Sequence, residues 1–325
     1  MATKPSPKKN SEIIQVYIDK YAALKRHKYE TIYTMKPDDL AEICDFADAE
    51  HSRVFLCFYN FSAEKYDKMT LQDIYTFAEG SNQYPFNRYS VTKNGLKFGI
   101  NICVPVRDGV VDRALVNEML SHELNHTYRI YREYMDGHIL HPRYSKRTRL
   151  ERQQIKENPR IKYTFSQKMD RYNYIRSGIK NDSSIRDNFY WIGYALSVDE
   201  INATLAGVDA FLFEHDGEYK KLSQCRSVII MKETKKYLEE VKTSATDKDW
   251  EYCRKNALYI YERKNESIER FKTRYITYYT KQLNFFDNRL EKLVDKYKLK
   301  TAQKRLLNET KTGGLIYSVK PTYEK

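Results

Sequence analysis

Between residues 111 and 135 the chain has no Pro or Gly, and Leu115, Met119, His122, His126 and Ile130 recur at spacings of three and four. That period marks one face of a helix, so a single long helix is expected here, with Gly137 placed as its C-terminal stop. The same stripe carries both histidines, which therefore point with the apolar side chains toward the interior. Strand-like runs lie upstream. The run Val54, Phe55, Leu56, Cys57 and Phe58 predicts a strand over 53–59. Residues 90–93 and 96–105 read as two strands around an Asn94-Gly95 hairpin turn.

Elsewhere the pattern is helical. Helices are expected over 13–33, 38–50, 166–178 and 197–215, then over 218–242, 247–264 and 265–300. In the last of these Ile268, Phe271, Tyr275, Tyr279, Leu283, Phe286, Leu290, Leu293 and Tyr297 alternate spacings of three and four. This heptad-like seam can pack back on the chain or against a partner, and packing within the chain is the default. The fold class expected is α+β: a small, mostly antiparallel sheet with its helices, followed by a long-helix C-terminal region. The divisions are a flexible basic tail (1–11), an α+β domain (12–216), a helical region (217–300) and a C-terminal tail (301–325). No internal repeat is evident.

Composition narrows the class. With 325 residues, 41% hydrophobic and 31% charged, the chain reads as a soluble globular protein with one large core or two modest ones. No apolar run is long enough to span a membrane. The N-terminus, with Lys4, Lys8 and Lys9 and no apolar stretch, does not read as a signal peptide. Cys44, Cys57, Cys103, Cys225 and Cys253 form no C-x-x-C pair and no disulfide framework, which suggests a reducing compartment. The net charge of +13 favours polyanionic partners. The excess is densest over 143–162, where Arg143, Lys146, Arg147, Arg149, Arg152, Lys156, Arg160 and Lys162 face only Glu151 and Glu157. Tyr144, Tyr163, Tyr172 and Tyr174 lie nearby, so nonspecific nucleic acid contact is conceivable, although a solvated charged face is the commoner meaning of such a run.

The most specific chemistry is His122-Glu123-Leu124-Asn125-His126, an H-E-x-x-H motif. Residues four apart on a helix share a face about 6 Å apart along its axis, so His122 and His126 can hold one metal ion. Glu123 then lies beside the metal, where its carboxylate can act as a general base. The motif resembles that of the zincin metallopeptidases. Two branches are excluded by spacing. The metzincin pattern needs a Gly and a third His where this chain has Arg129 and Arg132, and the branch with a Cys-rich zinc ribbon needs C-x-x-C pairs. Glu133 lies about 10 Å up the axis from His126, too far for a shared ligand set with bonds of about 2 Å.

The third ligand must come from elsewhere. The segment Ser197-Val198-Asp199-Glu200-Ile201-Asn202-Ala203 resembles the downstream glutamate helix of gluzincins, and the resemblance implies Glu200 as that ligand. Glu200, Ala203 and Gly207 share a face whose small residues would let two helices approach closely. The alternative is local: Ser197 and Glu200 form a capping box, with Glu200 reaching only the helix-start amide. Asp199, His138 and His141 are the remaining ligand candidates. In the thermolysin-like branch an Asp four residues after the ligand orients a histidine. Here that position is Thr204, so the orienting partner is unassigned.

The resemblance implies a zincin-like domain over 12–216 holding Zn2+ through His122, His126 and Glu200, with Glu123 as general base in peptide-bond hydrolysis. The substrate would be an extended polypeptide added to an edge strand at 98–104. Tyr190, Tyr194 and His141 are candidates to stabilise the oxyanion. A second expectation comes from another class. The Tyr-rich, Lys-rich, Gly-poor composition is similar to that of tailed-bacteriophage proteins. That implies a structural or cargo protein of the virion, active or not, bound to other virion proteins. Either setting places the chain in a host-cell cytoplasm or a virion. A basic nucleic-acid-binding protein with an incidental motif is the third.

Overall fold

The computed structural model describes residues 3–69, 90–135, 184–256 and 266–312. The expected helix 166–178, Gly137, His138, His141 and the basic segment 143–162 lie outside them, as does all but the start of the expected C-terminal tail. The described fold is mixed α and β, and mostly helical.

The chain opens with α1 (Pro7–Ala22), followed by β1 (Glu30–Thr34), α2 (Pro37–Ile43), β2 (Arg53–Phe61) and the short α3 (Ala63–Asp67). Two expectations are corrected here. Residues 7–11 are not tail: α1 starts at Pro7, Asn10 is buried, and its Nδ2 donates to Ser121 Oγ at 2.9 Å. Residues 13–33 are not one helix. The polar stretch Lys25-Arg26-His27-Lys28 has no apolar face to bury, whereas Thr31, Ile32 and Tyr33 gain a ladder by pairing antiparallel with Phe58, Cys57 and Leu56.

The hairpin follows as β3 (Ser90–Thr92) and β4 (Gly95–Lys97), but its turn is Lys93-Asn94, because Thr92 pairs with Gly95. Gly95 has φ +134°, and a Cβ there would come within 2.6 Å of the Phe46 carbonyl oxygen. The chain then leaves the hairpin as β5 (Gly99–Arg107), which runs parallel to β2 in a second sheet of order β1-β2-β5. The three-stranded sheet is thus mixed, not mostly antiparallel. The connection over 62–98 is long enough to return the chain in the same direction, as a parallel pair requires.

Alternation along β2 and β5 divides the sheet's two faces. Val54, Leu56 and Phe58 with Ile100, Ile102, Val104 and Val106 join the main core, with Ile14, Tyr17 and Tyr21 of α1. Cys57, Tyr59, Phe61 and Cys103 lie on the opposite face. Leu115, Val116, Met119, Leu120 and Leu124 of α4 (Arg113–Met135) complete the main core, and Asp112 caps α4 by accepting from the amides of Ala114 and Leu115 at 2.9 and 3.2 Å. All five cysteines are buried and none is in a disulfide.

The second half holds α5 (Ser184–Ala195), α6 (Val198–Glu214), a 3-10 turn (Tyr219–Gln224), α7 (Arg226–Ser244), α8 (Asp247–Asn256) and α9 (Ile268–Thr312). The expected helix over 218–242 is broken at Cys225, and α9 runs past residue 300 into the expected tail. The seam of α9 packs back on the chain. Phe271, Tyr275, Tyr279, Leu283 and Phe286 are buried with Phe189, Ile192, Leu196, Met231, Leu238 and Trp250, while Tyr297 is buried near Val208 and Phe211. Among the described residues no helix is long and apolar enough to cross a membrane.

Candidate metal centre

Helices α4 and α6 lie side by side and antiparallel. At one end Arg113 Nε is 2.7 Å from Glu214 Oε2 and Asn117 Nδ2 donates to Glu214 Oε1 at 2.7 Å. Midway, a Cβ on Gly207 would sit 3.3 Å from the Glu118 carbonyl oxygen and 2.7 Å from Ser227 Oγ. The small-residue face of α6 therefore permits the close approach expected of it. At the other end this approach brings Glu200 to the two histidines.

There His122 Nε2 and His126 Nε2 lie 3.1 Å apart. The Glu200 carboxylate places Oε2 3.4 Å from His122 Nε2 and Oε1 3.4 Å from His126 Nε2. Ligand atoms of the three residues lie within 4.8 Å of one another, and this is the group among the described residues that could hold a metal ion. The spacing suits one. Tetrahedral ligands with bonds of about 2.0–2.1 Å stand about 3.3 Å apart. The donor set, two imidazoles and a carboxylate in a largely buried position, is that of a borderline-soft divalent ion. His122 adds a buried Nδ1 without a hydrogen-bond partner.

The Ser197 cap forms, and the Glu200 carboxylate nevertheless lies beside both histidines. Ser197 caps α6, its Oγ accepting from the Glu200 amide at 3.3 Å. The Glu200 side chain is not spent on that cap, because its carboxylate lies at the histidines. Asp199 takes the role left open at Thr204: His126 Nδ1 donates to Asp199 Oδ2 at 2.6 Å. The proton on Nδ1 leaves the Nε2 lone pair for a metal, the carboxylate–histidine arrangement that orients metal ligands. Asp199 is thus a partner of His126, not a member of the ligand group. Its adjacency to Glu200 was the available signal: successive helical residues are rotated by about 100°, enough to reach the two nitrogens of one ring from one helical turn.

Burial opposes a charge on His126, yet the Glu200 and Asp199 carboxylates outweigh it and hold its pKa well above the ordinary 6.5. Burial likewise opposes the charge on Glu200, but His126 and then His122 hold its carboxyl below the ordinary 4.5. The signs set a pH dependence. In the metal-free chain the Glu200 contribution to stability is complete above 4.5 and is lost as pH falls through its lowered value. The His126 contribution is complete below 6.5 and is lost as pH rises through its raised value. Metal uptake must displace the His126 proton and so strengthens with pH. Thermal melts of metal-free protein across pH should therefore show highest stability between these limits, while metal affinity climbs as pH rises. Metal affinity that is flat across that range would contradict the coupling.

Glu123 lies next to His122 on α4 and is only partly buried. Among the oxyanion candidates, Tyr190 is buried and stacks on Tyr194 with centroids 6.2 Å apart, beside Trp191. Tyr194 is half-buried. No family model matches the chain, and no curated protein or solved structure matches it either.

Proposed function

We propose that the protein is a zinc-dependent peptide-bond hydrolase of zincin, gluzincin-like type. The observation that carries this reading is the convergence of His122, His126 and Glu200 from two helices, with Glu123 next to the first ligand. His122 and His126 would hold zinc through Nε2 and Glu200 through its carboxylate. Bound there, zinc supplies Lewis acidity and brings the pKa of a water molecule down to about 7.

The chain's own groups supply the rest. Asp199 keeps a proton on His126 Nδ1 and fixes the ring plane. Glu123, rotated about 100° from His122, is free of the ligand set and takes a proton from the attacking water, then returns it to the leaving amine. Among the described residues strand β5 ends the order β1-β2-β5 and leads through Asp112 into α4, so an extended polypeptide would add beside it. The seam of α9 is occupied by its own chain, which leaves the virion-component reading resting on composition.

Metal analysis after zinc loading should find about one zinc per chain. His122→Ala and His126→Ala should each abolish tight binding, and Glu200→Gln should weaken it. A loaded wild-type protein with no zinc would remove the hydrolase reading.

A further inference from the structure

Arg129 stands where the metzincin pattern has its Gly, one turn beyond His126 on α4. Its Nε lies 3.2 Å from Asp199 Oδ1, a contact close enough for an ion pair but not aligned as a hydrogen bond. The other oxygen of the same carboxylate, Oδ2, is the one that accepts from His126 Nδ1. Asp199 is therefore gripped from two sides by residues of one helix. The Asp199 side chain is 5% exposed and that of Arg129 is 29% exposed, so a buried carboxylate meets a partly exposed guanidinium.

From this geometry we infer that Arg129 is a positioning residue of the metal centre, acting through Asp199 on His126. Resting on the zinc reading above, the inference adds a member to the site that the H-E-x-x-H pattern does not contain. The argument is one of charge and direction. Asp199 and Glu200 are adjacent buried carboxylates, and both face His126. Glu200 also has His122, 3.4 Å from its Oε2, whereas Asp199 shares the His126 imidazole with Glu200, and a buried carboxylate short of positive partners is costly. Arg129 supplies a further positive charge, at the Asp199 oxygen that His126 does not use. It thereby fixes the carboxylate rotamer that receives Nδ1–H. The His126 ring in turn keeps Nε2 toward Glu200, 3.4 Å away. Without Arg129 the carboxylate can turn toward solvent, and the ring loses its orienting acceptor. Because the guanidinium is partly exposed, its removal leaves no cavity in the core, which separates a positioning role from a packing one.

The test is zinc affinity, measured by competition with a chromophoric chelator on the full chain, for wild type, Arg129→Met and Arg129→Lys. Loss of such an outer partner weakens metal binding by roughly 10–100-fold. Arg129→Met is expected to bind zinc at least about tenfold more weakly than wild type, and Arg129→Lys to recover part of that loss. In metal-free protein the His126 Nδ1–H resonance should shift in the Met variant, compared with wild type at a temperature where both are folded. Wild-type affinity and an unshifted His126 resonance in Arg129→Met would overturn the inference and leave the zinc site standing. If the Met variant does not fold, Arg129→Gln decides: a folded glutamine variant with weakened zinc binding supports the role, and unchanged binding refutes it. A wild-type chain that takes up no zinc would overturn the inference together with the reading on which it rests.

Discussion

Glu123→Gln is expected to keep the fold and the bound zinc while reducing peptide hydrolysis by roughly a hundredfold or more. Glu123 is absent from the group formed by His122, His126 and Glu200, so exchanging its carboxylate for an amide takes nothing from the ligand set. Its side chain is partly exposed on α4, so the isosteric change leaves the core as it was. What the amide lacks is a basic oxygen able to accept the proton of the attacking water. Zinc content and the melting temperature, measured beside cleavage of an unstructured polypeptide, separate chemistry from folding. A variant that cleaves as fast as wild type would show that Glu123 is not the base. Loss of zinc with loss of activity would mean that the residue supports the site structurally.

The second large effect concerns stability. Glu118 lies one turn before His122 on α4, is buried, and reaches the start of α7. Its Oε1 accepts from the Ser227 amide at 2.5 Å and its Oε2 from the Arg226 amide at 3.3 Å, with the Cys225 thiol 3.4 Å away. A carboxylate at that position satisfies helix-start amides that have no intrahelical partner and complements the dipole of α7. Glu118→Ala leaves two buried amides unsatisfied at about 1–3 kcal/mol each, so a loss of about 2–6 kcal/mol in unfolding free energy is expected. Glu118→Gln retains one acceptor oxygen and should cost less. Denaturant titration of the metal-free chain measures both. An alanine variant within about 0.5 kcal/mol of wild type would mean that α7 does not depend on this cap.

These two carboxylates illustrate how the site was encoded. The role proposed for Glu123 can be read from its neighbours in sequence, since the H-E-x-x-H spacing puts it beside His122 on any helix. Glu118 cannot. It sits on the same helix with no local signal, and its partners are more than a hundred residues away. Asp199 and Arg129 fall between the two cases. Both lie beside residues already marked by the motif or the glutamate helix, yet their meeting depends on the antiparallel approach of α4 and α6.

The sequence by itself determined the elements whose causes are local. Helix α4 follows from an unbroken three-and-four spacing and the Asp112 cap, and α6 from the Ser197 cap and its small-residue face. The seam of α9 was legible for the same reason, and so was the strand through Val54, Leu56 and Phe58. Tertiary structure alone decided what depended on a distant partner. Residues 30–34 became a strand because β2 offered a ladder, and β5 became parallel because the connection before it was long. It also decided between two compatible fates of Glu200. A glutamate three residues after a Ser cap can bond back to the start of its own helix or reach outward. A second helix arriving with two imidazoles turns the carboxylate outward, because buried charges take the partners that packing places within reach.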